Sequence, residues 1–197
     1  MSATSAPYGL IPVMDVGGSV RGANQRIQLT ANSASAFFKG GILNFASGVA
    51  TPVGATPTTT LGANTPWGVI VGVEYTDSFG PQFKSWLPAN GYTSFSGYGN
   101  IYIHVVSDPD VIMKVQSAGS ITYSELALNA ALTNFGGSTT TGVATIQVSA
   151  TPATTNTLAV KVIDIALDTN NAAGDAYTDV YVIWNQNVHA KRNILGQ

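Results

Sequence analysis

The residues best suited to chemistry in this chain are few, and their spacing works against it. Two histidines, His104 and His189, stand about 85 residues apart with no local partner. A zinc-like centre needs three or four converging ligands, and neither a His-x-His nor a His-x-x-x-His pair occurs. Each histidine therefore reads as a packed or surface side chain. Asp108-Pro109-Asp110 places two carboxylates in one turn. Paired carboxylates can divide acid and base roles, but aspartate beside proline is also ordinary turn chemistry, and that is the simpler reading. Asp168-Thr169-Asn170-Asn171 with Asp175 is oxygen-rich enough for a weak calcium site. It lacks the regular calcium-loop pattern and its closing glutamate. Gly17-Gly18-Ser19-Val20-Arg21-Gly22 lacks the Lys-Ser/Thr ending of a phosphate loop, and no serine sits in a Gly-x-Ser-x-Gly elbow. Without cysteine there is neither a disulfide framework nor a zinc-thiolate site. The chain reads as a non-enzyme, with no catalytic residue, no cofactor and no metal expected.

What is abundant instead is uncharged polarity. Of 197 residues, 45% are hydrophobic but only 9% are Asp, Glu, Lys or Arg, against about 25% in typical soluble domains. Their place is taken by 22 Thr, 16 Ser and 14 Asn, which suit β-surfaces and turns. A free monomer keeps charges interspersed over its surface for solubility, and interface cores are depleted in charge. The composition therefore points to a chain whose surface is largely covered in an assembly. The net charge is -2, and Lys191-Arg192 is the only adjacent basic pair, so no nucleic-acid-binding face is expected. The start, Met1-Ser2-Ala3-Thr4-Ser5-Ala6-Pro7, has neither a basic nor an apolar signal region. No apolar run approaches the roughly 18 residues needed to span a membrane.

The elements that would carry contacts are strands. Residues 1–35 read as an extended arm, too rich in Pro and Gly for a helix and too apolar at Tyr8, Leu10, Ile11 and Val13 for a solvated tail. The arm is expected to lie on the body or on a neighbouring subunit. Residues 36–197 read as one β domain. A strand, a glycine turn and a second strand are expected over Ala36–Phe45, a loop over Val49–Pro66, and a buried strand over Trp67–Thr76. Residues 77–99 read as a loop holding Phe79, Phe83, Trp86, Tyr92, Phe95 and Tyr98, aromatics that suit a core edge, a partner or the face of a sugar ring. Ile101–Val106 and Val111–Gln116 read as a hairpin closed by the acidic turn. Tyr123–Leu132 is the one helical candidate. Gly136–Gly142 reads as a loop, and Ala144–Ser149, Leu158–Leu167 and Asp179–Asn185 as strands. Several short strands separated by turns imply a mainly β fold, a single antiparallel β-barrel or sandwich, with the jelly roll as one form of it.

Four segments carry a resemblance scattered over most of the chain. They are Ala6-Pro7-Tyr8-Gly9-Leu10 leading to Pro12-Val13, Gly68-Val69-Ile70-Val71-Gly72-Val73-Glu74-Tyr75-Thr76-Asp77, Asp108-Pro109-Asp110-Val111-Ile112-Met113-Lys114-Val115-Gln116-Ser117, and Asp179-Val180-Tyr181-Val182-Ile183-Trp184-Asn185 with His189. Together these segments resemble the capsid decoration, or cement, proteins of tailed bacteriophages. The resemblance implies a β-rich chain, often a homotrimer. It would sit on the outer surface of the phage head, at three-fold junctions, and lock neighbouring major capsid subunits together. It implies no catalytic residue, no direct nucleic-acid partner and no membrane. Tyr8, Leu10, Ile11, Val13, Phe79, Phe83, Trp86, Tyr92, Phe95 and Tyr98 are the expected partner contacts. Removing residues 2–20 is expected to weaken attachment and leave the β body intact. A tail-tube, baseplate or head-fibre subunit would share the same signature. A carbohydrate-binding module would instead lose glycan binding when Trp86 or Tyr92 becomes alanine.

Overall fold

The computed structural model describes residues 4–15, 24–29, 35–46, 48–53, 66–77, 79–89, 100–185 and 189. Among them the chain is mainly β, and the strands of its sheets pair antiparallel. In chain order the strands are β1 Ile11–Asp15, β2 Asn24–Gln28, β3 Phe37–Phe38, β4 Ile42–Ala46, β5 Val49–Pro52, β6 Gly68–Asp77, β7 Gly80–Lys84, β8 Trp86–Leu87 and β9 Tyr102–Val106. They continue as β10 Val111–Gln116, β11 Asn129–Ala130, β12 Leu132–Thr133, β13 Gly137–Ser138, β14 Val143–Ala144, β15 Gln147–Val148, β16 Val160–Ile165 and β17 Asp179–Trp184. Two larger sheets organise them. One runs β1-β10-β17-β16-β11, and the other runs β2-β9-β6-β4-β5 with β7 also paired to β6.

Each larger sheet covers its own apolar cluster. Ile27, Leu43, Ile70, Val73, Ile103 and Val105 of the six-stranded sheet pack with Phe37 of β3 and Leu87 of β8. Met113, Val115, Val160, Val162, Val180, Val182 and Trp184 of the five-stranded sheet pack with Ile121, Leu132, Phe135, Ile146 and Val148. The clusters meet through one row of cross-strand partners, Ile42, Val69 and Val106. Side chains alternate faces along a strand, so this row points away from Leu43, Ile70 and Val105, and it packs into the five-stranded sheet's cluster. One end of the six-stranded sheet is therefore covered on both faces. Val71 leans on that same cluster, and a bulge between Ile70 and Gly72 then sets Val73 on the same side as Ile70.

Several sequence expectations need correction. Ile101–Val106 and Val111–Gln116 are strands but not a hairpin: β9 lies in one sheet and β10 in the other. The Asp108-Pro109-Asp110 turn is a corner between sheets, with the Asp110 N–H donating to Asp108 Oδ1 at 2.9 Å. Strands on both sides of such a corner look like hairpin strands in sequence, because alternation does not say which sheet a strand joins. The segment from 77 is not one loop, since β6 and β7 form a hairpin and β8 pairs with β3. Val49–Pro52 is also a strand, paired to β4. The Gly136–Gly142 loop begins inside a hairpin of β13 with β14, and the strand expected over Ala144–Ser149 is split between β14 and β15.

The helical candidate forms only a 3₁₀ turn at Tyr123–Glu125, where the Thr122 N–H donates to the Glu125 carboxylate at 2.7 Å. Ala127 then takes a left-handed φ of 64°. Ala127 N–H donates to Val162 O at 2.9 Å, and Val162 N–H donates to Leu128 O at 3.0 Å. A ten-residue helix is marginal alone, and the open edge of β16 offers its backbone a ladder instead.

The described parts of the N-terminal stretch belong to the body. β1 pairs with β10, and β2 pairs with β9. Leu10 is 1% exposed within the core of the five-stranded sheet, so deleting residues 2–20 would strip an edge strand and a core side chain.

Backbone contact fastens this stretch. Leu10 N–H donates to Gly40 O at 2.9 Å. Gly9 and Gly40 have φ of 72° and 79°, and a Cβ on Gly40 would stand 2.9 Å from Tyr8 O. Gly48 has the same φ of 79° with nothing within 4 Å. Gly48→Ala is expected to cost only the left-handed penalty, about 1 kcal/mol, and Gly40→Ala about 2 kcal/mol or more because the Gly40 and Tyr8–Leu10 backbones must also part. Urea midpoints at unchanged slope measure both. Equal losses would show that the Gly9–Gly40 contact yields without cost.

Candidate partner-binding surfaces

The outward face of the five-stranded sheet is built by alternation from the residues between its core positions. Ile11 is registered with Lys114, and Lys114 with Tyr181. Tyr181 faces Asp164 across β16, Met14 is registered with Ile112, and Ile183 with Lys161. An antiparallel sheet of a lone protein commonly turns a polar face to water. Here Ile11 is 43% exposed, Met14 is 37% exposed, and Ile112, Tyr181 and Ile183 are half-buried. Leu167, just beyond β16, is 61% exposed.

Besides Lys161 and Asp164 on β16, this face carries an ion-pair cluster at one lysine. Lys114 Nζ lies 3.1 Å from Asp179 Oδ2 and 3.8 Å from Asp168 Oδ2. The Tyr8 hydroxyl is buried, and burial first, then the neighbouring Asp179 carboxylate, push its pKa far above the ordinary phenol value. Ala6 N–H donates to Gln116 Oε1 at 2.9 Å, which seats the N-terminal stretch beside this cluster.

The exposed side of the six-stranded sheet is different. Cross-strand register sets Arg26 beside His104 and His104 beside Gly72, with Tyr102, Glu74 and Phe83 in the adjoining row. Arg26 grips Glu74 with two bonds, Nη2 to Oε1 at 2.6 Å and Nε to Oε2 at 3.1 Å. The guanidinium lies 3.4 Å from the centre of the Tyr102 ring, and His104 Nε2 is 2.8 Å from Glu74 Oε2. The Phe83 ring meets His104 edge-on with centroids 5.4 Å apart. Hydrogen bonds from Arg26 first and His104 second hold the Glu74 carboxyl below the usual carboxylate range.

Among the expected contacts, Ile11 and Val13 lie on edge strand β1, but Leu10 is core and Tyr8 is half-buried against the sheet. Phe79 is 90% exposed at the tip of the β6–β7 hairpin, and Phe83 is 62% exposed on β7. Trp86 stacks on Phe38 with centroids 5.9 Å apart. Tyr92, Phe95 and Tyr98 lie outside the described residues. The aromatic segment thus contributes to separate places, and the described part of it does not gather into one surface. Met14, Ile112, Tyr181, Ile183, Arg26, Glu74, Tyr102 and His104 were not singled out from the sequence as contacts. For Ile112, Tyr181 and Ile183 the signal was the presence of apolar residues at both alternate positions of β10 and β17.

The oxygen-rich segments serve the backbone. Asp168 Oδ1 accepts from Asn170 N–H at 2.7 Å, and Asp175 Oδ2 from Ala172 N–H at 3.0 Å. Asn171 Nδ2 donates to Ala166 O and Asp179 O. His189 is buried against Trp184, 5.9 Å between ring centres. Among the described residues no three His, Cys, Asp or Glu gather to hold a metal ion, and no helix is long and apolar enough to cross a membrane.

No family model, curated protein or solved structure matches this chain. The surfaces must therefore be read from their own chemistry.

A carboxyl held below its unfolded pKa adds stability that is present above the unfolded value and lost as pH falls through the folded one. Glu74 should therefore contribute at neutral pH and stop contributing as the pH drops below the ordinary carboxylate range near 4. In Glu74→Gln the loss of thermal stability between pH 5 and pH 3 should be smaller than in the parent. Unchanged acid sensitivity, read from parallel melting curves, would show that the Arg26–Glu74–His104 set adds nothing to folding.

Proposed function

We propose that this chain is a structural protein of a bacteriophage virion. It binds the outside of the head and holds neighbouring major capsid subunits together as a homotrimer. The observation that carries this reading is the outward face of the five-stranded sheet, where Ile11, Met14, Ile112, Tyr181 and Ile183 occupy positions that an isolated protein fills with polar residues. Burying such a face is worth roughly 25 cal/mol per Å² of apolar area, and a lattice of many copies multiplies each modest contact through avidity. The low charge and the four resembling segments agree with it. Sheets that end in the edge strands β1, β11, β2 and β5 favour the sandwich over the barrel among the two fold expectations.

In this reading each copy sets that face against a neighbouring copy, by a heterologous contact that closes at three. Light scattering behind a sizing column should give a particle of roughly three times 20.4 kDa. Ile183→Glu places a carboxylate opposite Lys161, which the isolated sheet tolerates and a buried contact does not. It should weaken trimer formation by roughly 30-fold or more, the size of an interface hot spot. A chain that stays monomeric at high concentration would contradict the trimer, and rings of six would replace the head with a tail tube.

A further inference from the structure

We infer that the exposed side of the six-stranded sheet, at Arg26, Glu74, Phe83, Tyr102 and His104, is a binding platform for a neutral pyranose residue of a polysaccharide. This site is separate from the assembly face and does not depend on it.

The platform joins two kinds of surface that a sugar ring also joins. One is a single apolar ring face. Phe83 is 62% exposed, yet it is not a loose side chain: its ring lies over Gly72, where any Cβ would collide with it, and against the edge of His104. The other is a fixed set of hydrogen-bonding groups. The Arg26 guanidinium is clamped by Glu74 and rests on Tyr102, with the side chain 48% exposed, and the Glu74 side chain is 30% exposed. A pyranose has an apolar C–H face for the phenyl ring and a rim of hydroxyls that both donate and accept, for the carboxylate and the guanidinium. All five side chains stand on paired strands, so little freedom is lost on binding.

Other ligands fit less well. Arg26 and Glu74 neutralise each other, so the patch holds no surplus charge for a phosphate or a carboxylate, and nucleic acid needs clustered cations. A peptide adding a strand along β7 meets Pro81, which has no N–H to offer. The apolar area is about one ring wide, well short of the ~800 Å² per partner in a stable protein contact. What remains is an uncharged, amphipathic ligand the size of one ring, repeated along a polymer.

The test is titration calorimetry of the purified full chain with cellohexaose, maltohexaose, mannohexaose, xylohexaose and chitohexaose. At least one should bind with a Kd on the order of 1 mM or tighter. Phe83→Ala and Arg26→Ala should each weaken that binding by roughly tenfold or more. Tyr123→Ala removes an equally exposed aromatic elsewhere and should leave it unchanged. Failure of all five sugars at that strength overturns the inference. So does binding that survives both platform variants, or that falls equally in Tyr123→Ala. A trimer that binds no sugar would leave the structural reading of the chain standing and remove this one alone.

Discussion

The constraint on which this molecule depends is that strands apolar on both sides must be covered on both sides. The chain has eight basic and ten acidic residues in 197, too few to turn the outward positions of every strand into a charged surface. Within the body the constraint is met twice. The six-stranded sheet buries Leu43, Ile70 and Val105 on one face and Ile42, Val69 and Val106 on the other. The 121–148 segment gives up helix to lay short strands and Ile121, Leu132, Phe135, Ile146 and Val148 under the five-stranded sheet. Among the described residues, the outward face of that second sheet is left with exposed apolar side chains at Ile11 and Met14.

The two exposed sheet surfaces are therefore not equivalent. On the five-stranded sheet Lys114, Asp168 and Asp179 draw together and Lys161 and Asp164 stand on β16, while Ile11, Met14, Ile112 and Ile183 take positions between them. On the six-stranded sheet the arrangement is reversed: a paired Arg26 and Glu74 dominate, and a large apolar group, Phe83, is held down over Gly72. The first surface suits extended contact with another protein, and the second suits a small amphipathic ligand.

Much of the fold was legible in the sequence because strand signals are local. Valine-rich runs placed β6, β9, β10, β16 and β17, and Gly, Pro and Asp marked many of their ends. Partnership was not legible. Alternation fixes which side chains share a face, but not which sheet a strand joins, so the Asp108-Pro109-Asp110 corner read as a hairpin. The leucines and alanines of Tyr123–Leu132 suggested helix, because propensity carries no knowledge of a free edge on β16. The contact surfaces were legible only in part. Exposed aromatics such as Phe79 and Phe83 stood out by type. Arg26, Glu74 and His104 lie 30 or more residues apart and meet only through register.

Peroxide oxidation followed by mass spectrometry tests the covered face most directly, because a methionine thioether reacts according to its exposure. Met14 lies on that face and is 37% exposed in the single chain, whereas Met113 is fully buried and reports that the fold is intact. If a neighbouring chain covers the sheet, Met14 in the assembled protein should oxidise nearly as slowly as Met113, and its rate should rise on dilution while Met113 stays protected. Rapid oxidation of Met14 at every concentration, with Met113 still shielded, would mean that the face is open to water and that nothing assembles on it.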